Sequence, residues 1–541
     1  MSDFEIVLGD EPIENKDVVF SLNEQQQEGF NRIVDFLQDN TTSFTLAGYG
    51  GTGKTFLIKH IIDYIRQYNP MDIILCSPTH QANKVIKNSL KFTQEVKTFA
   101  SIFSKRFNPI TRRYEFSLSN DSNLPIDSLL IIDECSMIDS ESFEVAIVTC
   151  KERNVKLIFM GDMIQLPPIG SKTVSLAFTE TEQLYLLTNL MRQKETNPIV
   201  KIYSQIRDNP LASVQFRTDI NEETSEGIML LKYDGFKQIV TENFNSEEFK
   251  YNKKHCRILC YTNNKVEEYN SLVRKVTLEN DIKPYQVGEL VKGYDQISQT
   301  NQIENGQDYL VTKSNETSIN INVTDITDVK YDMLYKDYRK KTVRVEIKGI
   351  QLEVLEILDT TDLTNLDKYK YYSKTIFIPY LVKENDEFFK SLTLLSQMQG
   401  KIKDWKLKSE LYKDLSTIFS TIQLEDTIFL YNNEYVCLKS LKKSKPEMFK
   451  TDEYGYCQYD DLLSKHKAFL LKKNIDYGYA SSIHKIQGGT LTNALIDIKD
   501  VYNPITKKDV YMNEKPFVTE RNSLLYVSLS RPKKMAYCYI A

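Results

Sequence analysis

Gly48-Tyr49-Gly50-Gly51-Thr52-Gly53-Lys54-Thr55 decides the fold of this 541-residue chain. The stretch fits G-x-x-x-x-G-K-T, in which glycines let the backbone turn so that its N–H groups face a phosphate. Phe44-Thr45-Leu46-Ala47 reads as a buried strand leading in, and Phe56-Leu57-Ile58-Lys59-His60-Ile61-Ile62 as a helix leading out. The N-terminus of that helix adds partial positive charge at the same point. Gly48, Gly50, Gly51, Thr52 and Gly53 are read as a phosphate cradle. Lys54 is expected to bridge the β- and γ-phosphates of a nucleotide, and Thr55 to hold Mg²⁺.

Outward from this loop, apolar runs at 44–47, 73–76, 129–132 and 157–160 alternate with helical patterns from about residue 21 to 200. Such alternation predicts a parallel sheet with helices on both faces. A second alternation begins at Arg257-Ile258-Leu259-Cys260-Tyr261 and returns at the C-terminus, where 495–498 and 524–527 read as strands. Between them, at about 311–475, strand-like segments 318–324, 342–348 and 374–379 precede charged helical stretches around 384–420, as in an insertion. Residues 103–119 read as a hairpin turning at Asn108-Pro109-Ile110-Thr111.

Composition sets bounds on function. A net charge of −5 argues against a surface coated in base for duplex DNA, yet allows a narrow groove for a single strand. There is no run of about 18 apolar residues, so no membrane partner is expected. Residues 1–20 are polar and lack an apolar signal core, and the chain is expected in the cytoplasm. Eight cysteines without a C-x-x-C pair read as reduced thiols rather than a zinc module; His255, Cys256 and Cys260 come nearest to a ligand cluster.

Carboxylates follow the strand Leu129-Leu130-Ile131-Ile132, and ligands of open α/β sheets bind at such carboxyl ends. Asp133 is placed to hold Mg²⁺ through water, and Glu134 to orient or deprotonate an attacking water. After Leu157-Ile158-Phe159-Met160, Gln165 offers an amide to the γ-phosphate from a loop stiffened by Pro167 and Pro168. Arg192 and Arg531 are candidates to neutralise charge that develops during transfer.

With these residues in order, the chain resembles the superfamily 1B helicases, the 5′→3′ branch of RecD-like and Dda-like enzymes. The resemblance rests on L-N-E-Q-Q at 22–26, the loop at 48–55, S-P-T-H-Q-A-N-K at 77–84, D-E-C-S-M at 133–137 and G-D-M-I-Q-L-P-P at 161–168. It continues through L-T-N-L-M-R at 187–192, Y-T-N-N-K at 261–265, S-S-I-H-K-I-Q-G at 481–488 and Y-V-S-L-S-R at 526–531. It implies an α/β fold of two RecA-like domains, at 21–95 with 120–200 and at 201–310 with 476–541. A hairpin pin at 96–119 would interrupt the first, and an SH3-like barrel with a helical arm at 311–475 the second. It implies ATP and Mg²⁺ as cofactors, with Gln26 reading the adenine and Gly488 close to the nucleotide. Pro78, Thr79 and His80 would touch single-stranded DNA across the first domain, and Thr262, Asn263, Ser482 and His484 across the second. Phe107, Tyr114 or Phe116 would stack at the fork.

The activity implied is ATP-driven 5′→3′ translocation and strand separation by a monomer on single-stranded and fork duplex DNA. Its setting would be phage replication or recombination in a bacterial cytoplasm, beside a single-strand-binding protein or replisome component. An RNA helicase of the same branch and an ATP-gated recombination mediator that does not unwind are the alternatives. Two departures stand out: Thr98-Phe99-Ala100 replaces a T-x-H pattern, and the stretch 408–472 is longer than a compact Dda-like enzyme needs. That stretch is read as extra scaffold or a partner-binding element.

Overall fold

The structure, a computed structural model, describes residues 22–79, 82–83, 86–87, 90, 96–108, 113–116, 124–189, 197–278, 283–294, 303–332, 337–357, 363, 373–381, 383–401, 405–431, 434–450, 458 and 473–540. The first sheet contains the strands β1 (Ser43–Gly48), β2 (Ile73–Ser77) and β3 (Lys97–Thr98). A separate hairpin, β4 (Lys105–Asn108) with β5 (Arg113–Phe116), follows; β6 (Leu129–Ile132), β7 (Lys156–Gly161) and β8 (Gln183–Leu187) then complete the sheet. Its order is β3-β2-β6-β7-β1-β8, parallel throughout. β1 and β6 are buried along their whole length, which is why they read as unbroken apolar runs instead of alternating ones.

The second sheet draws on β9 (Asp219–Asn221), β10 (Glu226–Leu231) and β11 (Cys256–Cys260). An antiparallel sheet intervenes, built from β12 (Leu290–Gly293), β13 (Asp308–Asp332), β14 (Asp337–Glu356) and β15 (Ser373–Pro379). The small hairpin of β16 (Ile428–Tyr431) and β17 (Glu434–Cys437) comes next, and β18 (Ile475–Tyr477) closes the antiparallel sheet against β12. The chain then returns to the second sheet with β19 (Ala480–Ser482) and β20 (Leu491–Asp497). It adds the ribbon β21 (Asp509–Met512) with β22 (Lys515–Thr519), and ends on β23 (Pro532–Tyr539). The second sheet has the order β19-β11-β20-β23-β10-β9, and only β9 runs antiparallel to its neighbour.

Three expectations change here. The inserted sheet is wider than 311–475, because it takes β12 and β18 from the flanks expected to belong to the second parallel sheet. The separate segments 318–324 and 342–348 are parts of one long ribbon, β13 with β14, backed by the helices Asp386–Lys401 and Trp405–Thr421 through Ile321, Val323, Phe389 and Leu411. Finally, Leu524–Val527 is not a strand: it lies in the helix Glu520–Leu529, which Thr519 caps by accepting the Asn522 N–H. Every residue from Asn522 to Leu529 is buried, so this helix has no polar face and its run of apolar residues carries no helical period.

The two parallel sheets share one hydrophobic cluster. It contains Ile132 and Phe159 of the first, Ile496 of the second, and Leu525 and Val527 of the helix Glu520–Leu529. The carboxyl ends of β1, β6 and β7 thus meet the C-terminal helix across a packed seam. No helix among the described residues is long and apolar enough to cross a membrane.

Candidate active site

β1 delivers the glycine loop from between β7 and the edge strand β8 of the first sheet. Gly53, at φ 84°, ψ 24°, is the left-handed N-cap of the helix Lys54–Tyr68, and Gly51 has φ 85°. No side chain caps this helix, so its first N–H groups are left to the loop's concave side. Thr52 closes the turn: its N–H and its hydroxyl donate to the Tyr49 carbonyl at 3.2 and 2.9 Å. A side chain at Gly48 would meet Thr52 Oγ1 at 2.7 Å and Leu187 Cβ at 3.0 Å, which fixes glycine there. Lys54 Nζ donates to the Gly48 and Tyr49 carbonyls at 2.7 and 3.2 Å, bending the ammonium over the loop. Thr55 is half-buried at the first turn of the helix.

Asp133 and Glu134 stand at the end of β6. The Asp133 N–H donates to the Cys76 carbonyl at 2.9 Å, and Asp133 Oδ1 accepts the Glu134 N–H at 2.9 Å. Glu134 is left-handed, φ 53°, ψ 43°, a conformation that costs a residue with a Cβ about 1–2 kcal/mol. Such strain clusters at working sites. Next to it, β7 ends at Gly161 and Asp162. Asp162 Oδ1 accepts the Ile164 N–H at 3.1 Å, and burial pushes its carboxyl pKa up while Lys54 draws it back down. Gln165 is buried, with Oε1 lacking a partner among the described residues.

Residues of the second sheet complete this centre. Gly488, at φ 76°, lies so near that a Cβ there would come within 3.6 Å of Glu134 Oε1. Gln487 beside it is buried with no partner for Nε2 among the described residues. The Tyr526 hydroxyl accepts the Gly50 N–H at 2.9 Å and donates to Asp162 Oδ2 at 2.7 Å. Arg531 is buried, donating from Nε to the Val527 carbonyl at 3.0 Å and from Nη1 to the Gly489 carbonyl at 3.3 Å. Arg192 lies outside the described residues, as does His80.

Gln26 departs from its expected role. It is fully buried, with Oε1 accepting the Asn23 N–H at 3.2 Å and Nε2 donating to the Thr52 carbonyl at 3.2 Å. Each end of its amide makes a hydrogen bond inside the protein, one in a capping box on the helix Glu24–Gln38 and one in a strut under the glycine loop.

The expected DNA contacts fall at one edge of each sheet. In the first sheet, Pro78 and Thr79 follow β2, and Thr79 Oγ1 accepts the Ala82 N–H at 3.2 Å. In the second, Thr262 follows β11 and caps the helix Asn263–Thr277. Asp500 claims it: its carboxylate accepts the Tyr261 and Thr262 N–H groups at 2.7 and 2.8 Å and the Thr262 hydroxyl at 3.0 Å. Thr262 is therefore an internal anchor here, whereas Asn263 beside it is exposed. Ser482 is buried at the end of β19. His484 lies with its ring centroid 6.1 Å from that of Tyr261, and burial holds its pKa below the ordinary imidazole value, so the ring is neutral near pH 7. Sequence reasoning passed over Tyr261 and Tyr526, although both sit inside the quoted motifs.

In the hairpin, Lys105 pairs with Phe116 and Phe107 with Tyr114. Phe116 is at the hairpin's base, where its ring meets Phe99 of the core edge-on at 6.3 Å; this corrects its expected place at a fork.

Among known proteins, a family model described as an AAA domain matches residues 21–221. The ATP-dependent DNA helicase dda of Enterobacteria phage T4 is 26% identical over 52% of this chain and 63% of its own length. The RecBCD enzyme subunit RecD of Buchnera aphidicola is 32% identical over 29% of this chain and 28% of its own. Over those stretches this chain is similar to the dda and RecD proteins. The uncharacterized protein R530 of Acanthamoeba polyphaga mimivirus is 24% identical over 94% of this chain and 98% of its own length. The crystal structure of Pif1 helicase from Bacteroides in complex with ADP-AlF3 and ssDNA aligns over 96% of this chain and 94% of that one, at 17% identity and a TM-score of 0.44.

Proposed function

We propose that this chain is an ATP- and Mg²⁺-dependent DNA helicase that moves 5′→3′ on single-stranded DNA and parts a duplex at the 105–116 hairpin. The observation that carries the reading is the two-sided centre: Gly488 abuts Glu134, and Tyr526 bridges Gly50 to Asp162, so a nucleotide held by the first sheet is sensed by the second. The name of the dda relative supplies the DNA substrate class, and the direction of travel comes from the resemblance in the motifs.

The loop fits a triphosphate: two left-handed glycines, uncapped helix N–H groups and the Lys54 ammonium make an anion site. Thr55 and Asp133 are the hard oxygen ligands for Mg²⁺, which would neutralise phosphate charge when bound. Lys54 draws charge from the β- and γ-phosphates. Glu134 aligns water on the γ-phosphorus; one P–O bond forms as the bond to the β-phosphate oxygen breaks, and Glu134 takes the water's proton. Gln165 senses the γ-phosphate, while Arg192 and Arg531 offset the charge gathering on it. Loss of the γ-phosphate weakens the closed apposition of the two sheets, and alternating grip at their DNA edges converts reopening into movement.

Strand displacement on matched forks with a 5′ or a 3′ tail, with ATPase followed in parallel, tests this. Displacement from the 5′ tail alone is expected. DNA-stimulated ATPase without displacement on either fork would replace the reading with a mediator that does not unwind. Displacement confined to RNA forks would replace it with an RNA helicase.

A further inference from the structure

Tyr526 has a place in the nucleotide site that none of the motif assignments gives it. It projects from the helix Glu520–Leu529, which packs within the second sheet unit, yet its hydroxyl is built into the glycine loop of the first. The side chain is 1% exposed and its ring meets Tyr203 edge-on at 5.8 Å. A phenol both accepts and donates, so one oxygen satisfies the Gly50 N–H and a lone pair of the buried Asp162 carboxylate together. Phenylalanine would fill the same space and do neither.

Gly50 belongs to the run whose N–H groups hold phosphate oxygens in loops of this type. Tyr526 Oη therefore sits on a donor that the loop offers to its nucleotide. The end of the same helix is also close, with Ser530 Cβ 4.0 Å from where a Gly50 side chain would begin. Arg531 follows directly.

Resting on the proposed ATP hydrolysis, we propose that Tyr526 is a positioning residue whose hydroxyl competes with a nucleotide phosphate oxygen for the Gly50 N–H. Nucleotide entry displaces the hydroxyl, and the displacement carries the state of the loop into the helix that leads to Arg531. The bridge thus opposes nucleotide binding by the worth of about one hydrogen bond, and DNA held by the second sheet relieves that opposition by moving the same helix.

The test is Y526F beside the wild-type full chain, with Y203F as a control that removes a hydroxyl from the same aromatic pair without touching the loop. Equilibrium binding of fluorescent ADP and AMP-PNP is measured without DNA, then turnover with and without single-stranded DNA. Y526F should bind nucleotide about three- to tenfold more tightly, the range a single hydrogen bond commands. Its DNA-free turnover at low ATP should rise, so that the ratio of stimulated to unstimulated turnover falls by a similar factor, with Y203F within twofold of wild type. A merely structural tyrosine would weaken binding on removal of its hydroxyl. Unchanged or weaker nucleotide binding by Y526F overturns the proposal. A wild type that binds nucleotide but shows no DNA-stimulated turnover overturns the helicase reading instead, and leaves Tyr526 to be judged on affinity alone. A wild type that binds no nucleotide overturns both.

Discussion

Lys292→Met measures the cost of a buried ammonium behind the Ser481–Ser482 strand. Lys292 is 1% exposed, and its Nζ donates to Ser481 Oγ at 3.3 Å. Beside it, Arg257 grips Asp308 through two bonds of 3.0 and 2.8 Å. Burial pushes the lysine down to about 7 from 10.5; Asp308 opposes the shift, while Arg257 and Lys485 add to it. Between these two values the unfolded chain holds a proton that the folded chain has released. Folding stability therefore rises with pH across the window, and the gain is lost as pH falls through 7. At ~1.36 kcal/mol per unit, the burden on the folded state is on the order of 5 kcal/mol at pH 6 and roughly 2 kcal/mol at pH 9.

Methionine has a similar length and no charge. It leaves Ser481 Oγ short of a donor, at about 1 kcal/mol, but that cost does not vary with pH. K292M should therefore be more stable than wild type at pH 6, with an advantage that shrinks by roughly 2–3 kcal/mol by pH 9. Titration of histidines and carboxylates is common to both proteins and cancels in the comparison. Urea unfolding at pH 6, 7.5 and 9 and constant ionic strength reads this directly, followed by fluorescence of Trp405, the only tryptophan. An advantage equal at pH 6 and pH 9 to within ~1 kcal/mol would refute the reasoning, because Lys292 would then titrate as it does in the unfolded chain.

Glu134→Gln should keep nucleotide affinity within about twofold and lower turnover by roughly 10²–10⁴, the span of a lost general base; normal turnover sinks the assignment. Glu134→Gly should lose the same turnover yet gain about 1 kcal/mol of stability by relieving the left-handed strain, visible as a higher unfolding midpoint; an unchanged or lower midpoint would show that φ 53° costs nothing here. Arg531→Lys should cut turnover by on the order of 10² or more at near-normal nucleotide affinity, because an ammonium cannot reproduce the guanidinium fork; a wild-type kcat removes Arg531 from the hydrolysis step. Replacing 105–116 with a short glycine linker should abolish strand displacement and spare ATPase, whereas displacement that survives rules out the pin.

What could be read from the sequence depended on whether an element announces itself locally. The glycine loop, β1, β6 and β7 did, because a fully buried parallel strand is a short apolar run ending in polar residues. Leu524–Val527 misled for the same reason: a helix buried on every side shows the same short run, and only Thr519 and Asn522 mark it as capped. β12 and β18 gave no sign of leaving the parallel sheet, since membership in a sheet is decided by a partner far along the chain; Val291 pairs with Tyr477. Gln26 was placed by motif order, but motif order does not tell which polar atoms are already spent, and its amide is divided between Asn23 and Thr52. The bond that Thr262 makes to Asp500 was equally unreadable, because Asp500 lies on a different element and outside every motif.

The centre's most informative property is how its second-sheet contacts are tied together. Gly488 reaches Glu134 and Tyr526 reaches Gly50 and Asp162, two separate points of contact on the first sheet. Arg531 donates to Gly489, the neighbour of the first point, and to Val527, the neighbour of the second. One guanidinium therefore ties both contacts, through its bonds to the Gly489 and Val527 carbonyls. A phosphate drawing Arg531 away would free the loop at Gly488–Gly489 and the helix end at Val527 in the same event. Lysine at 531 supplies charge without the two-pronged tie, so R531K separates the roles: a defect in catalysis alone points to charge, and a defect that also uncouples DNA from turnover points to the tie. These polar groups are buried, which sharpens the effect of any exchange of partners. Removed from water, each has only the partners this seam provides, and a change at one is felt at the others.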